Sequence, residues 1–131
     1  MTAFVDTNVL VRHLTGDPPG QAAAAARLLA SAEQLLLTDV VFAEVGYVLE
    51  SFYEAPRPEV AAALRAVLAH RSIRVVDAPL LQRTVEIYEL DRLDLTDAYL
   101  VASAERTGVG AVASFDRSID RVPTVRRLEP A

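Results

Sequence analysis

Apolar residues arrive along this chain in two kinds of run. Short, unalternating runs at Ala3-Phe4-Val5, Leu35-Leu36-Leu37, Ile73 to Val76 and Ala111 to Ala113 read as strands. A weaker fifth run spans Val122 to Val125. Elsewhere apolar residues recur every three or four positions. From Asn8 the set Val9, Leu10, Val11 and Leu14 predicts a helix that stops at Gly16-Asp17-Pro18-Pro19-Gly20. Residues 21–33 are rich in Ala, the best intrinsic helix former, with Leu28 and Leu29 for a core face. Thr38 or Asp39 caps a helix to about Tyr53 that carries Val41, Val45, Val48, Leu49 and Phe52. Pro56 and Pro58 interrupt it, and Glu59 to His70 predicts another with Val60, Leu64, Val67 and Leu68 inward. Pro79 suits the first turn of a helix to about Leu90. Thr96 to Thr107 predicts the last, ended by Gly108 and Gly110.

Alternating strands and helices imply the α/β class, and no repeat or composition break divides residues 1–131 into more than one domain. Strands this apolar on both sides suit a short central parallel sheet of four to five strands with helices on both faces, a three-layer α/β/α architecture. Right-handed crossovers then bring every strand's C-terminal end to one edge, where open α/β sheets bind ligands.

Composition narrows the chemistry. Hydrophobic residues make up 52% of the 131 and the mean hydropathy is +0.24, so the chain forms a core. No apolar run approaches the ~18–20 residues of a membrane span, and Asp6 interrupts the only candidate leader. A cytoplasmic protein without membrane contact is therefore expected. The absence of Cys excludes disulfides and thiolate chemistry and fits a reducing compartment. All thirteen basic residues are Arg, and the lack of Lys excludes a lysine phosphate loop and Schiff-base catalysis. A net charge of −5 argues against a nucleic-acid partner at first sight. Assigning five acids to one cation site removes that objection, because the remaining acids then equal the arginines in number.

Five acids fall where such a site is expected. Asp6 ends the first strand and Glu44 lies in the second turn of the helix after the second. Asp94 and Asp97 open the helix that leads into the fourth strand, and Asp116 lies just beyond that strand. Each has a plainer explanation. Asp6 can cap a helix, Asp94 and Asp97 have a capping-box-like spacing, and Asp116 with Arg117 can be a turn with a surface ion pair. Glu44 stands among Val40, Val41, Phe42, Ala43 and Val45, where a lone buried carboxylate is costly, although a solvated position on the helix is the alternative. Two carboxylates ~4 Å apart repel by about 4 kcal/mol at an effective dielectric of 20, so protons or a cation must hold a cluster together. Hard oxygen donors suit Mg²⁺ or Mn²⁺ over Zn²⁺, and such an ion activates water toward a phosphodiester. His13 and His70 offer little beyond a loop position and a helix end.

With these acids in place, the sequence resembles the PIN-domain ribonucleases, and among them the VapC-type toxins of bacterial toxin–antitoxin pairs. The resemblance rests on Phe4-Val5-Asp6-Thr7-Asn8-Val9-Leu10-Val11-Arg12 with Leu14-Thr15-Gly16-Asp17-Pro18, on Glu44-Val45-Gly46-Tyr47-Val48-Leu49, on Asp94-Leu95-Thr96-Asp97-Ala98 with Leu100 and Ala102, and on Ser114-Phe115-Asp116. It implies a Mg²⁺-dependent endoribonuclease, with Mn²⁺ as substitute, that forms a homodimer and is inhibited by a cognate VapB-type antitoxin. By the same resemblance Asp6 and Asp97 are the principal metal ligands and Asp116 a further one. Glu44 orients water or a second ion, Ser114 supports the site, and Asp94 supports it or caps a helix. The implied reaction is in-line attack of activated water on RNA, leaving a 5′-phosphate and a 3′-hydroxyl. The helix bearing Tyr47, Phe52 and Tyr53, with the helix at 59–70, offers either an apolar groove for an antitoxin segment or ordinary core packing. A receiver domain lacks its Lys here, and a haloacid-dehalogenase-like phosphatase lacks its second Asp. The remaining alternative keeps the fold as an RNA-binding or RNA-processing protein without a toxin role.

Overall fold

Helix starts in this protein follow its capping chemistry. In the computed structural model, which describes residues 1–31 and 34–131, Asp6 opens helix α1 (Thr7–Thr15) by accepting from the Thr7 N–H at 2.8 Å. Thr38 opens α3 (Asp39–Ser51), its Oγ1 accepting from the Val41 N–H at 3.1 Å. Asp77 opens α5 (Ala78–Glu86) by the same bond from Leu80 N–H, at 3.2 Å. Two helices that lack such a side chain, α2 (Pro19–Ala30) and α4 (Arg57–Ala69), carry Pro in the first turn instead, where its fixed φ is already helical. Gly16 and Gly108 close α1 and α6 (Leu95–Thr107) at φ 72° and 78°, left-handed values that cost any residue with a Cβ. The helix expected over 21–33 is observed up to Ala30; positions 32 and 33 lie outside the described residues.

The chain folds as two compact units, 1–76 and 77–131. In the first, strands β1 (Thr2–Phe4), β2 (Gln34–Leu36) and β3 (Ile73–Arg74) pair in the order β1-β2-β3, all parallel. Each crossover uses two helices, α1 with α2 and α3 with α4. Leu10, Leu29, Leu35, Phe42, Val45, Val60 and Leu64 form the core, each at most 2% exposed. A buried hydroxyl ties the crossover to the sheet, Ser72 Oγ donating to the Leu29 carbonyl at 2.7 Å.

In the second unit β4 (Ala111–Ala113) pairs in parallel with β5 (Arg126–Leu128). Leu81, Val85, Ile87, Leu93, Val101 and Ile119 are fully buried beneath α5 and α6. The α/β class and parallel pairing match the expectation from sequence, with five short strands among the described residues, hydrogen-bonded as groups of three and two. The fifth strand is displaced, however. Val122 to Val125 contains Pro123, which has no N–H to give a ladder, and pairing begins only at Arg126. The helix expected to run from Pro79 to Leu90 widens after Glu86 into a π-helical turn over Ile87–Asp91, which Arg92 ends at φ 60°. A single turn of 3₁₀ helix over Arg117–Arg121, unmarked by apolar periodicity, follows Asp116.

Candidate active site

The five acids occupy both units, two in the first and three in the second. In the first, Asp6 follows β1 and Glu44 stands in the second turn of α3, after β2. Both line one cleft of about 490 Å³, together with Thr7, Asn8, Arg12 and Asp17. Asp6 is exposed and caps α1, so its plain role as a helix cap is fulfilled, and its carboxylate also borders the cleft. Glu44 departs from the sequence argument. It is exposed, because successive helical residues turn by about 100°: Phe42 and Val45 point inward at 1% exposure each while Glu44 faces solvent. Of its apolar neighbours in sequence, Val40 lies one turn back on the same face and is itself exposed, while the buried Phe42 and Val45 lie on another face.

Thr7 supplies a feature that no sequence pattern marks. The residue is only 6% exposed, and its Oγ1 is the buried side-chain polar atom without a hydrogen-bond partner among the described residues. Arg12, four residues beyond Asn8 on α1, is held by its Nε–H to the Gln21 side chain and by Nη1 to the Asn8 carbonyl at 3.4 Å. Across the cleft, the Tyr53 hydroxyl donates to Asp17 Oδ2 at 3.3 Å. Arg12 and Asp17 sit inside the motif that runs from Phe4 to Pro18, yet only the fold shows that they share a cleft with Asp6 and Glu44.

In the second unit Asp94, Asp97 and Asp116 act on one another. Asp94 occupies the cap position of α6, but its side chain makes no capping hydrogen bond, so the capping alternative fails for it. Asp97, in the first turn of α6, is half-buried. Burial pushes its carboxyl above the ordinary carboxylate value of 3.8, and a hydrogen bond with Asp116 and the charges of Asp116 and Asp94 push it further. Asp116 is held low, chiefly by hydrogen bonds from the Ser118 backbone and side chain, with Asp97 and the Arg121 charge adding to the effect. Ser118 N–H lies 2.9 Å from Asp116 Oδ1. Ser114 Oγ in turn accepts from the Asp116 N–H at 2.9 Å, which fixes the turn that presents this acid. Among the described residues Asp116 caps the following turn through the Ser118 N–H and forms no ion pair with Arg117.

Among the described residues, no three His, Asp or Glu side chains stand ready-made around one ion position. The donor chemistry nevertheless fits a hard cation: Asp97 and Asp116 are hydrogen-bonded carboxyls that press on one another's charge, and the chain has no thiolate to offer a softer ion. The histidines stay apart from this chemistry. His13 is exposed, and His70 Nδ1 accepts from the Ser72 N–H at 3.1 Å. Tyr47 and Phe52, for which core packing is the alternative in sequence, are 69% and 76% exposed. No helix among the described residues is long and apolar enough to cross a membrane.

Among solved structures, the chain is similar to VapBC2 from Rickettsia felis bound to a DNA fragment from their promoter, with 17% identity over 100% of both chains and a TM-score of 0.40. It is also similar to VapC20 of Mycobacterium tuberculosis, a sarcin-ricin loop cleaving toxin, with 21% identity over 90% of this chain and 92% of that one and a TM-score of 0.45. None of the curated proteins matches it. The model of the PIN domain matches residues 3–125, nearly the whole length and including all five acids, and the chain therefore belongs to the PIN domain family.

Proposed function

We propose that this protein is a divalent-metal-dependent endoribonuclease that hydrolyses RNA phosphodiesters, with Asp6, Glu44, Asp97 and Asp116 as its catalytic residues. The observation that carries this reading is the Asp97–Asp116 carboxyl pair, hydrogen-bonded to one another, in which burial, Asp116 and Asp94 push Asp97 up while Ser118, Asp97 and the Arg121 charge hold Asp116 low. Membership of the PIN domain family supports it.

Asp6, Asp97 and Asp116 are proposed to hold Mg²⁺, with Mn²⁺ as substitute. A bound Mg²⁺ supplies Lewis acidity toward a phosphoryl oxygen and toward water. The chain's own residues do the remaining work. Asp97 and Asp116 bring two carboxyls together whose mutual repulsion a cation would relieve, and the Ser118 N–H orients Asp116 for that. Ser114 positions Asp116, and Glu44, exposed on the lining of the cleft that Asp6 borders, is proposed to orient water. Asp94 adds negative charge beside Asp97.

In the cell, we propose a VapC-type toxin role in the cytoplasm, with a cognate VapB-type antitoxin and a homodimeric state. The support is the run of motifs from Phe4 to Pro18, around Asp97 and at Ser114-Phe115-Asp116.

The test is cleavage of RNA by purified full-length protein in Mg²⁺ or Mn²⁺ against EDTA, with 5′ ends mapped. Asp6→Asn and Asp97→Asn are each expected to reduce cleavage by roughly 100-fold or more, the scale of losing metal-assisted catalysis, while leaving the circular dichroism spectrum unchanged. Cleavage that survives EDTA, or either substitution, overturns the assignment. Growth arrest on expression of the chain, relieved by Asp97→Asn, separates a toxin from an RNA-processing enzyme.

A further inference from the structure

Phe52 and Tyr53 stand side by side at the end of α3, on the lining of the cleft that Asp6 and Glu44 share. Their ring centroids are 5.0 Å apart at 71°, an edge-to-face pair. Tyr53 is half-buried and anchored to Asp17 through its hydroxyl, so it supports Phe52 from one side. Phe52 itself offers its surface to solvent. Among the described residues Arg12 is the one cationic side chain on this lining, and its Nε and Nη1 are already oriented by Gln21 and Asn8. The buried Thr7 hydroxyl on the same lining has no protein partner among the described residues.

We propose that this cleft is a nucleotide subsite, in which an unpaired base of the RNA strand stacks on Phe52 and a neighbouring phosphate pairs with Arg12. The inference deepens the ribonuclease reading and rests on it for the identity of the strand. A volume of about 490 Å³ lies within the range of ligand sites and leaves room for one nucleotide. Stacking on exposed aromatic rings beside an Arg is how proteins hold single-stranded nucleic acid without reading a duplex.

The charges on the lining favour this occupant over an apolar peptide. Asp6, Asp17 and Glu44 against Arg12 leave two negative charges, which one divalent cation neutralises. An apolar segment seated here would strip water from all four charges without replacing it. A nucleotide brings a phosphate for Arg12 and the cation, and a π-face for Phe52.

The test uses the full-length protein with a labelled single-stranded RNA of about 12 nucleotides, within the site sizes of single-strand binders. The same RNA as a duplex and a fully abasic sugar-phosphate chain of equal length complete the set. Binding is read by fluorescence anisotropy, with Ca²⁺ in place of Mg²⁺. The wild type is expected to prefer base-bearing single strand over abasic chain by about tenfold, the scale of one stacked base. Phe52→Ala should erase that preference while keeping the affinity for the abasic chain. Arg12→Gln should weaken both strands alike. Tyr47→Ala, an exposed ring on the same helix outside the cleft, should change neither.

Equal preference in Phe52→Ala and wild type overturns the proposal, as does a loss for both strands alike. Unchanged RNA binding with a lowered sedimentation mass in Phe52→Ala assigns the ring to a protein contact and overturns it too. A wild type that binds single strand with the expected preference but cuts no RNA in Mg²⁺ removes the nuclease reading and leaves the subsite standing.

Discussion

At the scale of single residues, the decisive fact about Asp97 is that its surroundings oppose its charge. Its carboxyl is raised by burial, by its bond with Asp116 and by two neighbouring negative charges. A carboxyl raised in the folded state binds more protons there than in the unfolded chain, so its contribution to stability falls as pH rises through and above its ordinary 3.8. Asp97→Asn removes that repulsion. The metal-free variant is therefore expected to melt slightly higher than wild type at neutral pH, by less than about 1 kcal/mol given its partial exposure. Excess Mg²⁺ should raise the wild-type melting temperature and leave the variant's unchanged. Scanning fluorimetry with and without the ion reads both effects, and a variant that melts well below wild type would show Asp97 to be structural.

Asp6 is different because it serves two ends at once. It caps α1 through Thr7 N–H and borders the cleft. Asn also caps helices well, so Asp6→Asn separates the two roles: the cap survives while the charge goes. Both roles of Asp6 are legible in the sequence, since a strand that ends in Asp before a helical pattern predicts a cap and an edge position together. Glu44 shows where neighbours along the chain mislead. They suggest burial, but a helix separates adjacent residues by about 100° around its axis, and the apolar pair Phe42 and Val45 faces the other way.

At the scale of elements, a bidentate ion pair ties α5 to α6 in the second unit. Arg83 on α5 reaches Glu105 on α6 through Nε at 2.8 Å and Nη2 at 3.0 Å, and Glu105 also accepts from the Thr124 hydroxyl. The Arg83 hydrogen bonds hold the Glu105 carboxyl below its usual range against the opposing effect of burial. A carboxyl lowered in the folded state contributes stability that is full above its unfolded value near 4.5 and lost as pH falls through the folded one. Glu105→Gln should cost about 1–2 kcal/mol at neutral pH, less than a buried charge pair because both side chains are partly exposed. The difference from wild type should shrink in acid; urea melts at neutral pH and below about pH 4 test this.

Helix ends give a second prediction at this scale. Gly108 sits at φ 78° with open space where a Cβ would stand. Gly108→Ala therefore carries backbone strain and no clash, and should cost about 1 kcal/mol. Both glycine stops are visible in the sequence, as are the turn at Gly16 to Gly20 and the helix led by Pro79, whereas Pro19 and Pro58, which read as turn and break, stand inside the first turns of α2 and α4. The fifth strand is not, because Arg126-Arg127-Leu128 has no apolar pattern. Arg127 is oriented there by ion pairs to Asp120 at 3.1 Å and Glu129 at 3.0 Å, and the first of these forms only when the chain folds back on itself.

For the whole molecule, the acidic balance sets the conditions for binding RNA. A chain with net charge −5 gains little from nonspecific attraction to phosphates. Affinity for single-stranded RNA is therefore expected to depend on the divalent ion, dropping by about tenfold or more in EDTA. Its dependence on monovalent salt should be shallow, with a slope that corresponds to one or two phosphate contacts, about −0.7 for each. Anisotropy titrations across salt concentrations check both, and a steep slope that persists in EDTA would point to a basic surface elsewhere.

The class of the fold, the helices with the caps at Asp6 and Thr38, and the identity of the acids are written in the sequence alone. These follow from local rules: side-chain periodicity, the φ preferences of Pro and Gly, and the reach of an Asp or Thr to the next turn's N–H groups. The excluded chemistries are written there too, since a chain without Cys or Lys has neither thiolates nor side-chain amines to offer. Folding in three dimensions settles which carboxyls burden one another, that Glu44 faces water, and that Arg12, Asp17 and Tyr53 share a cleft with Asp6. Those outcomes depend on distances between segments far apart in the chain. Electrostatic coupling and burial arise from such distances, and no pattern of neighbours along the chain encodes them.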